Sequence, residues 1–216
     1  MKSLSLGFSA LLILTVSPVL SAEPSDLLYV WAWDKDGRDS DFLAVIDVAE
    51  SSPTYGSIVH SVPAGVVGFA HHTEHQMTDP TGLFVNSFSA GRTFVMDMTE
   101  PARPRIAAEL GAVGDFAFPH SFERLTNGNV LATFQRSASR PDEPGGLVEL
   151  DRNGKFVQGS SAVNDVDRDL RPYSLAPLPT VDRVVSTSAD MAGKRTGHSI
   201  QVWRLSDLSL LQTIVL

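Results

Sequence analysis

The sequence predicts an all-β fold, a β-propeller with about three to four blades forming an open or partial ring. Three observations carry that prediction. The apolar stretches are short and separated by turn residues, and no run of 10–12 residues shows a 3.6-residue period. A phrase of apolar strand, acidic turn and apolar strand recurs: FLAVIDV then GSIVHSV, TFVMDM then RIAAEL, GLVELD then KFVQGS, SIQVWRL then LLQTIVL. Asp47, Asp97, Asp151 and Arg204 hold the same place in each, about 50 residues apart. Ahead of each phrase from the second onward lies one more strand pair: HHTEHQM with GLFVNSF, HSFERL with NVLATFQ, YSLAPL with RVVSTSA. Four strands in a repeat of this length is the signature of a propeller blade. The alternative architecture is a β-sandwich with chance regularity. The count gives three full blades and the outer part of one more.

Taken in order, the chain opens with Lys2, an apolar run from Leu4 to Val19, and Ser21-Ala22 before Glu23-Pro24. That pattern reads as a secretory signal peptide over 1–22, too short for a membrane span, and no later stretch is apolar enough to span. Residues 23–216 then form the propeller domain. Strands are expected at Leu27–Trp33, Phe42–Val48, Ser57–Val62, Leu83–Phe88, Thr93–Met98, Arg105–Leu110, Asn129–Phe134, Gly146–Leu150, Lys155–Gln158, Arg183–Thr187, Ser199–Leu205 and Leu210–Leu216. Asp36-Gly37, Asn127-Gly128, Pro144-Gly145-Gly146 and Asn153-Gly154 supply turns between them. Trp31, Trp33 and Trp203 fall in strand patterns and read as core. The acidic stretches Asp34–Asp41 and Asp165–Asp169 lack a full calcium-loop register and read as solvated loops.

Seventeen Lys and Arg face 25 Asp and Glu, a net charge of −8, and removal of the leader with Lys2 makes the chain one unit more negative. An acidic chain without basic clusters argues against nucleic acid and anionic membranes as partners. There is no cysteine, which excludes disulfides, thiolate metal sites and cysteine nucleophiles. Any metal site must use His, Asp, Glu, Met or Tyr. No serine elbow, phosphate loop or dinucleotide fingerprint is present.

The chemistry concentrates in Phe69-Ala-His-His-Thr-Glu-His-Gln-Met77 and its echo, Phe118-Pro-His-Ser-Phe-Glu123. In each, a histidine follows an apolar pair at the expected start of a blade's innermost strand. Tyr173, in Pro172-Tyr173-Ser174, takes that place in the next blade. His71 or His72, His120 and Tyr173 should therefore ring one end of the central channel, with His198 reaching in from a loop. Neutral imidazoles without thiolate, outside the cytoplasm, fit copper best. His75 ranks below His72 as a pocket residue. His60 lies in an outer-strand pattern and reads as structural or surface. Glu74 and Glu123 read as solvated, with a supporting role to the histidines as the alternative.

These phrases resemble the selenium-binding protein family, which includes methanethiol oxidases. The resemblance runs through DSDFLAVIDVAESSPTYGSIVHSVP (39–63), the His71-His72 pair, HSFERLTNGNVLATF (120–134), GGLVELD (145–151), RPYSLAPLPTVDRVVSTSADM (171–191) and GHSIQVWRLSDLSLLQTIVL (197–216). It implies a propeller with a copper centre held by His71, His72, His120 and His198. It also implies oxidation of methanethiol, a small thiol, by oxygen to formaldehyde, hydrogen sulfide and hydrogen peroxide, and a periplasmic or secreted location. The family's cysteines have no counterpart here, and its members are longer. Two other readings follow: a non-catalytic propeller that binds a ligand, a selenium species or a protein partner, and an incomplete product with no independent function; self-association through the open blade edge is a separate expectation.

Overall fold

The computed structural model describes residues 26–216; the expected signal peptide lies outside them. Fifteen strands form four antiparallel sheets among the described residues. The first has three: β1 (Leu27–Ala32), β2 (Phe42–Asp47) and β3 (Ile58–Pro63). The second contains β4 (Ala70–Thr73), β5 (Gly82–Ser87), β6 (Arg92–Asp97) and β7 (Arg105–Leu110). The third contains β8 (Phe116–Arg124), β9 (Val130–Ser137), β10 (Pro144–Leu150) and β11 (Phe156–Ser161). The fourth contains β12 (Pro172–Leu178), β13 (Arg183–Asp190), β14 (Arg195–Arg204) and β15 (Leu210–Val215). Each sheet is a meander in sequence order, the blade predicted from the repeat.

The outermost strands show that the four sheets are equivalent. β3, β7, β11 and β15 each carry one extra residue against their neighbour, namely Val59, Ala107, Val157 and Leu211. The first sheet therefore consists of the outer three strands of a blade, and β1 stands where β5, β9 and β13 stand. The recurrent acid has a local task at this outer turn. Asp47 accepts from the Ala49 N–H and the Ser52 and Thr54 hydroxyls. Asp97 accepts from the Thr99 N–H, and Asp151 from the N–H groups of Asn153 and Lys155. Such side-chain acceptors replace backbone partners that a turn cannot supply. In the fourth blade Arg204 occupies the position and the task passes to Asp207, which accepts from the Ser209 N–H.

The core lies between the blades, in three layers. Leu43, Val85, Phe94 and Met96 join the first and second sheets, with Tyr29 and Trp31 packed against them. Phe84, Val95, Phe122, Phe134 and Val148 join the second and third. Leu131, Leu147, Leu175, Val184 and Trp203 join the third and fourth. Full burial of such side chains contributes about 1.5–3 kcal/mol each. A sheet covered on both faces needs buried residues in continuous runs, and every residue of β10 is buried. β13 largely alternates instead, because among the described residues only one face of the fourth sheet is covered. Of the three tryptophans, Trp203 is fully buried and donates to Ser186 Oγ. Trp31 is half-buried and donates to the Asn86 carbonyl at 2.7 Å, linking the first blade to the second. Trp33 departs from the core expectation: it is 52% exposed, with its ring edge-on to Phe69.

Candidate metal centre

The histidines lie inside the innermost strands. His71 and His72 follow the first residue of β4. Pairing upstream of His120 continues to Phe116 opposite Ser137, which places His120 in the middle of β8 and not at its expected start. What aims these residues is a bulge that recurs in all three complete blades. His71 and His72 together oppose Asn86; His120 and Ser121 together oppose Thr133; Tyr173 and Ser174 together oppose Thr187. A bulge leaves one N–H without a ladder partner and turns its side chains off the regular alternation. The opposing side chain supplies the partner each time. Asn86 Oδ1 accepts from the His72 N–H at 2.6 Å, Thr133 Oγ1 from the Ser121 N–H at 3.0 Å, and Thr187 Oγ1 from the Ser174 N–H at 3.2 Å. His71, His120 and Tyr173 are thus structural equivalents, and His72 is the additional imidazole that the second blade places where the others have serine.

His71, His72 and His120 converge. One ring nitrogen from each lies within 4.8 Å of the others. The His71 and His120 Nε2 atoms are 3.1 Å apart. Ring centroids are 4.4 Å apart for His71–His72 and His72–His120, and 4.8 Å for His71–His120. The tautomer of His120 follows from its partner. Its Nδ1 lies 2.9 Å from the Tyr173 carbonyl, which can only accept, so Nδ1 carries the proton and the Nε2 lone pair faces His71. The His72 Nε2 is buried without a hydrogen-bond partner.

Burial sets the protonation state. Desolvation, reinforced by the neighbouring imidazoles, pushes His120 down to about 2 and His72 to about 4; desolvation also lowers His71. All three are neutral at physiological pH and offer lone pairs. Aromatic rings surround them. Phe69 stacks on His71 at 5.0 Å, Phe88 lies 5.7 Å from His120, and Tyr173 lies 4.1 Å from His120. Phe118 packs on Phe88 and adopts a left-handed φ of 59°, a backbone state uncommon for a bulky residue.

The other expected residues stand apart. His198 is in β14, the third strand of its blade; its side chain is 69% exposed and its Nε2 is 4.0 Å from Asp167 Oδ2. His75 follows β4 and pairs through Nδ1 with Glu123 Oε1, its ring 6.4 Å from that of His72. Glu123 is therefore engaged rather than merely solvated. Glu74 is a clearer correction. It is buried, and Arg124 grips it through Nε at 2.8 Å and a terminal nitrogen at 2.6 Å. The burial needs a cation brought from 50 residues away, which local sequence does not reveal. Local sequence does not single out Asn86 and Thr133 either, because an opposing residue is identified only by register.

The donor set fits a transition metal. Two nitrogens bound to one ion at about 2.0 Å can be no more than about 4 Å apart, so a ring adjustment of under about 1 Å closes the set. An unpartnered buried nitrogen and two apposed Nε2 atoms are the features such an ion would satisfy. All-imidazole ligation suits copper, zinc, iron or nickel.

Known proteins are similar to this chain. A methanethiol oxidase of Ruegeria pomeroyi is 27% identical over 174 residues, covering 71% of this chain and 39% of that protein. A methanethiol oxidase of Bos taurus is 27% identical over 204 residues, covering 82% of this chain and 43% of that protein. The X-ray structure of a hypothetical selenium-binding protein from Sulfolobus tokodaii superposes with a TM-score of 0.70 at 19% identity, over 88% of this chain and 49% of that one. The chain thus spans less than half the length of these relatives. The profile of the 56 kDa selenium binding protein (SBP56) matches residues 15–216. That match takes in every described residue, and the chain belongs to the 56 kDa selenium binding protein family.

Proposed function

We propose that this chain holds a copper centre on His71, His72 and His120 and uses it in the oxidation of methanethiol or a related small thiol. The single observation that carries the reading is the convergence of three neutral imidazoles, one with a buried, unpartnered nitrogen. The relatives named methanethiol oxidase support the reaction class. Methanethiol, oxygen and water would give formaldehyde, hydrogen sulfide and hydrogen peroxide, with the carbon oxidised and oxygen reduced by two electrons. Bound copper would supply the affinity for thiolate sulfur and the electron path to oxygen.

The protein's own residues have defined tasks in this scheme. The Tyr173 carbonyl fixes the His120 tautomer so that its Nε2 lone pair faces the centre. Phe69, Phe88 and Tyr173 limit water around the imidazoles and offer an apolar wall suited to a methyl group. The leader read in residues 1–22 supports a periplasmic or secreted location.

Copper analysis of the purified protein beside His72→Ala and His120→Ala tests the centre. The expected result is near-stoichiometric copper in the parent and loss of most of it in both variants; unchanged content in both rejects the site. A second reading, metal or ligand binding without turnover, is favoured by the absence of cysteine from the chain. Hydrogen peroxide release from methanethiol by the copper-loaded protein separates the two, and robust turnover eliminates the second.

A further inference from the structure

We propose that Asn86 is the positioning residue of the histidine centre, the clamp that sets the separation between the strand bearing His71 and His72 and the strand bearing His120. Its side chain is fully buried. The carboxamide oxygen accepts from the His72 N–H at 2.6 Å. The nitrogen donates to the carbonyls of Pro119 at 2.7 Å and His120 at 3.1 Å. One planar group thus holds the backbone of two candidate ligands at once. The first blade steadies it from behind, through the Trp31 indole on the Asn86 carbonyl.

The equivalent positions in the other blades isolate what is particular to Asn86. At the same bulge the third blade has Thr133, whose hydroxyl accepts from the Ser121 N–H and donates to the Tyr173 carbonyl at 2.6 Å. A hydroxyl therefore suffices to complete a bulge of this kind. The buried amide of Gln135 makes a comparable bolt between the third and fourth blades, donating to the carbonyls of Pro172 and Ala189. Its amide makes no hydrogen bond to either histidine-bearing backbone segment that Asn86 joins, its partners being Pro172, Ala189 and Met191. Ligand geometry tolerates little displacement, and loss of supporting hydrogen bonds around ligating histidines weakens metal binding by about 10–100-fold. Asn86 supports this centre by fixing backbone, whereas the Tyr173 carbonyl acts on a ring.

This inference rests on the proposed metal centre, and two measurements keep the two separable. The variants are Asn86→Thr, which retains a hydroxyl for the His72 N–H but cannot span both carbonyls of the next blade, and Gln135→Ala as the structural control. The first measurement is Cu²⁺ affinity by competition with a chromophoric chelator, with the spin-resonance spectrum of the bound ion. The second is the imidazole ¹H–¹⁵N spectrum of the metal-free protein. We expect Asn86→Thr to weaken Cu²⁺ binding about tenfold or more, to alter the copper hyperfine pattern and to shift the His72 and His120 ring resonances. Gln135→Ala should stay within about twofold in affinity with the spectrum unchanged, whatever its melting temperature. A folded Asn86→Thr with affinity close to that of the parent and unmoved ring resonances overturns the proposal. So does an equal loss of affinity in Gln135→Ala. If the parent binds no Cu²⁺ but the ring resonances move in Asn86→Thr alone, the copper function falls and the positioning role stands.

Discussion

Arg124→Met should destabilise the fold far more than loss of a surface charge. The Arg124 and Glu74 side chains are 4% and 1% exposed. Glu74 receives two guanidinium hydrogen bonds and the Phe84 N–H at 2.9 Å. Arg124 also reaches the carbonyls of Gly128 and Gly82, and its guanidinium lies 5.7 Å from the Phe84 ring centre. The pair ties the second blade to the third, beside a backbone bridge between Glu74 and Phe122. Removing the cation leaves a buried carboxylate with a single N–H partner. Breaking such a pair costs about 3–5 kcal/mol. In a domain of this size 1 kcal/mol lowers the melting temperature by about 2–4 °C, so the expected loss is about 6–20 °C. Calorimetry of the metal-free protein measures it. The double variant Glu74→Leu with Arg124→Met removes both charges and should recover most of the loss. A drop of less than about 3 °C in Arg124→Met, or a double variant no better than the single, refutes the reasoning.

Three further outcomes are expected. Gly146→Ala should cost about 1–3 kcal/mol or more, because the added carbon would collide with the Ser160 carbonyl oxygen, whereas at Gly82 the nearest atom is 3.9 Å away and alanine should be tolerated; urea melts of both variants compare them. Burial by itself would raise the Glu149 carboxyl, but the amides of Asn129, Gln158 and Asn127 outweigh it and hold the group below its ordinary value. A depressed folded value stabilises fully above the unfolded carboxyl range and is lost as pH falls through the folded value, so Asn129→Ala should be more damaging at about pH 7 than at about pH 3; equal deficits at both would contradict this. Among the described residues the outer face of the first sheet exposes Leu28 and Val30 on β1, and we expect concentration-dependent association through it. Sedimentation should show Leu28→Lys with Val30→Lys shifted toward monomer, and a parent chain whose sedimentation does not vary with concentration would count against the idea.

The repeat made the blades legible. Short apolar runs with an acid at one recurring position leave few folds other than stacked four-stranded sheets, and the acid proved to close each outer turn except where Asp207 replaces it. The convergence of His71, His72 and His120 was legible for the same reason, since residues at matching repeat positions arrive at matching places. Side-chain direction was not. A bulge resets the alternation of a strand, and nothing in the spacing tells which of two adjacent histidines matches His120. Tertiary structure made that choice, left His198 exposed two strands away from the innermost, buried Glu74 against Arg124 and turned Trp33 outward. Periodicity along a chain fixes which residues recur, whereas burial and convergence depend on neighbours that only blade-to-blade packing supplies.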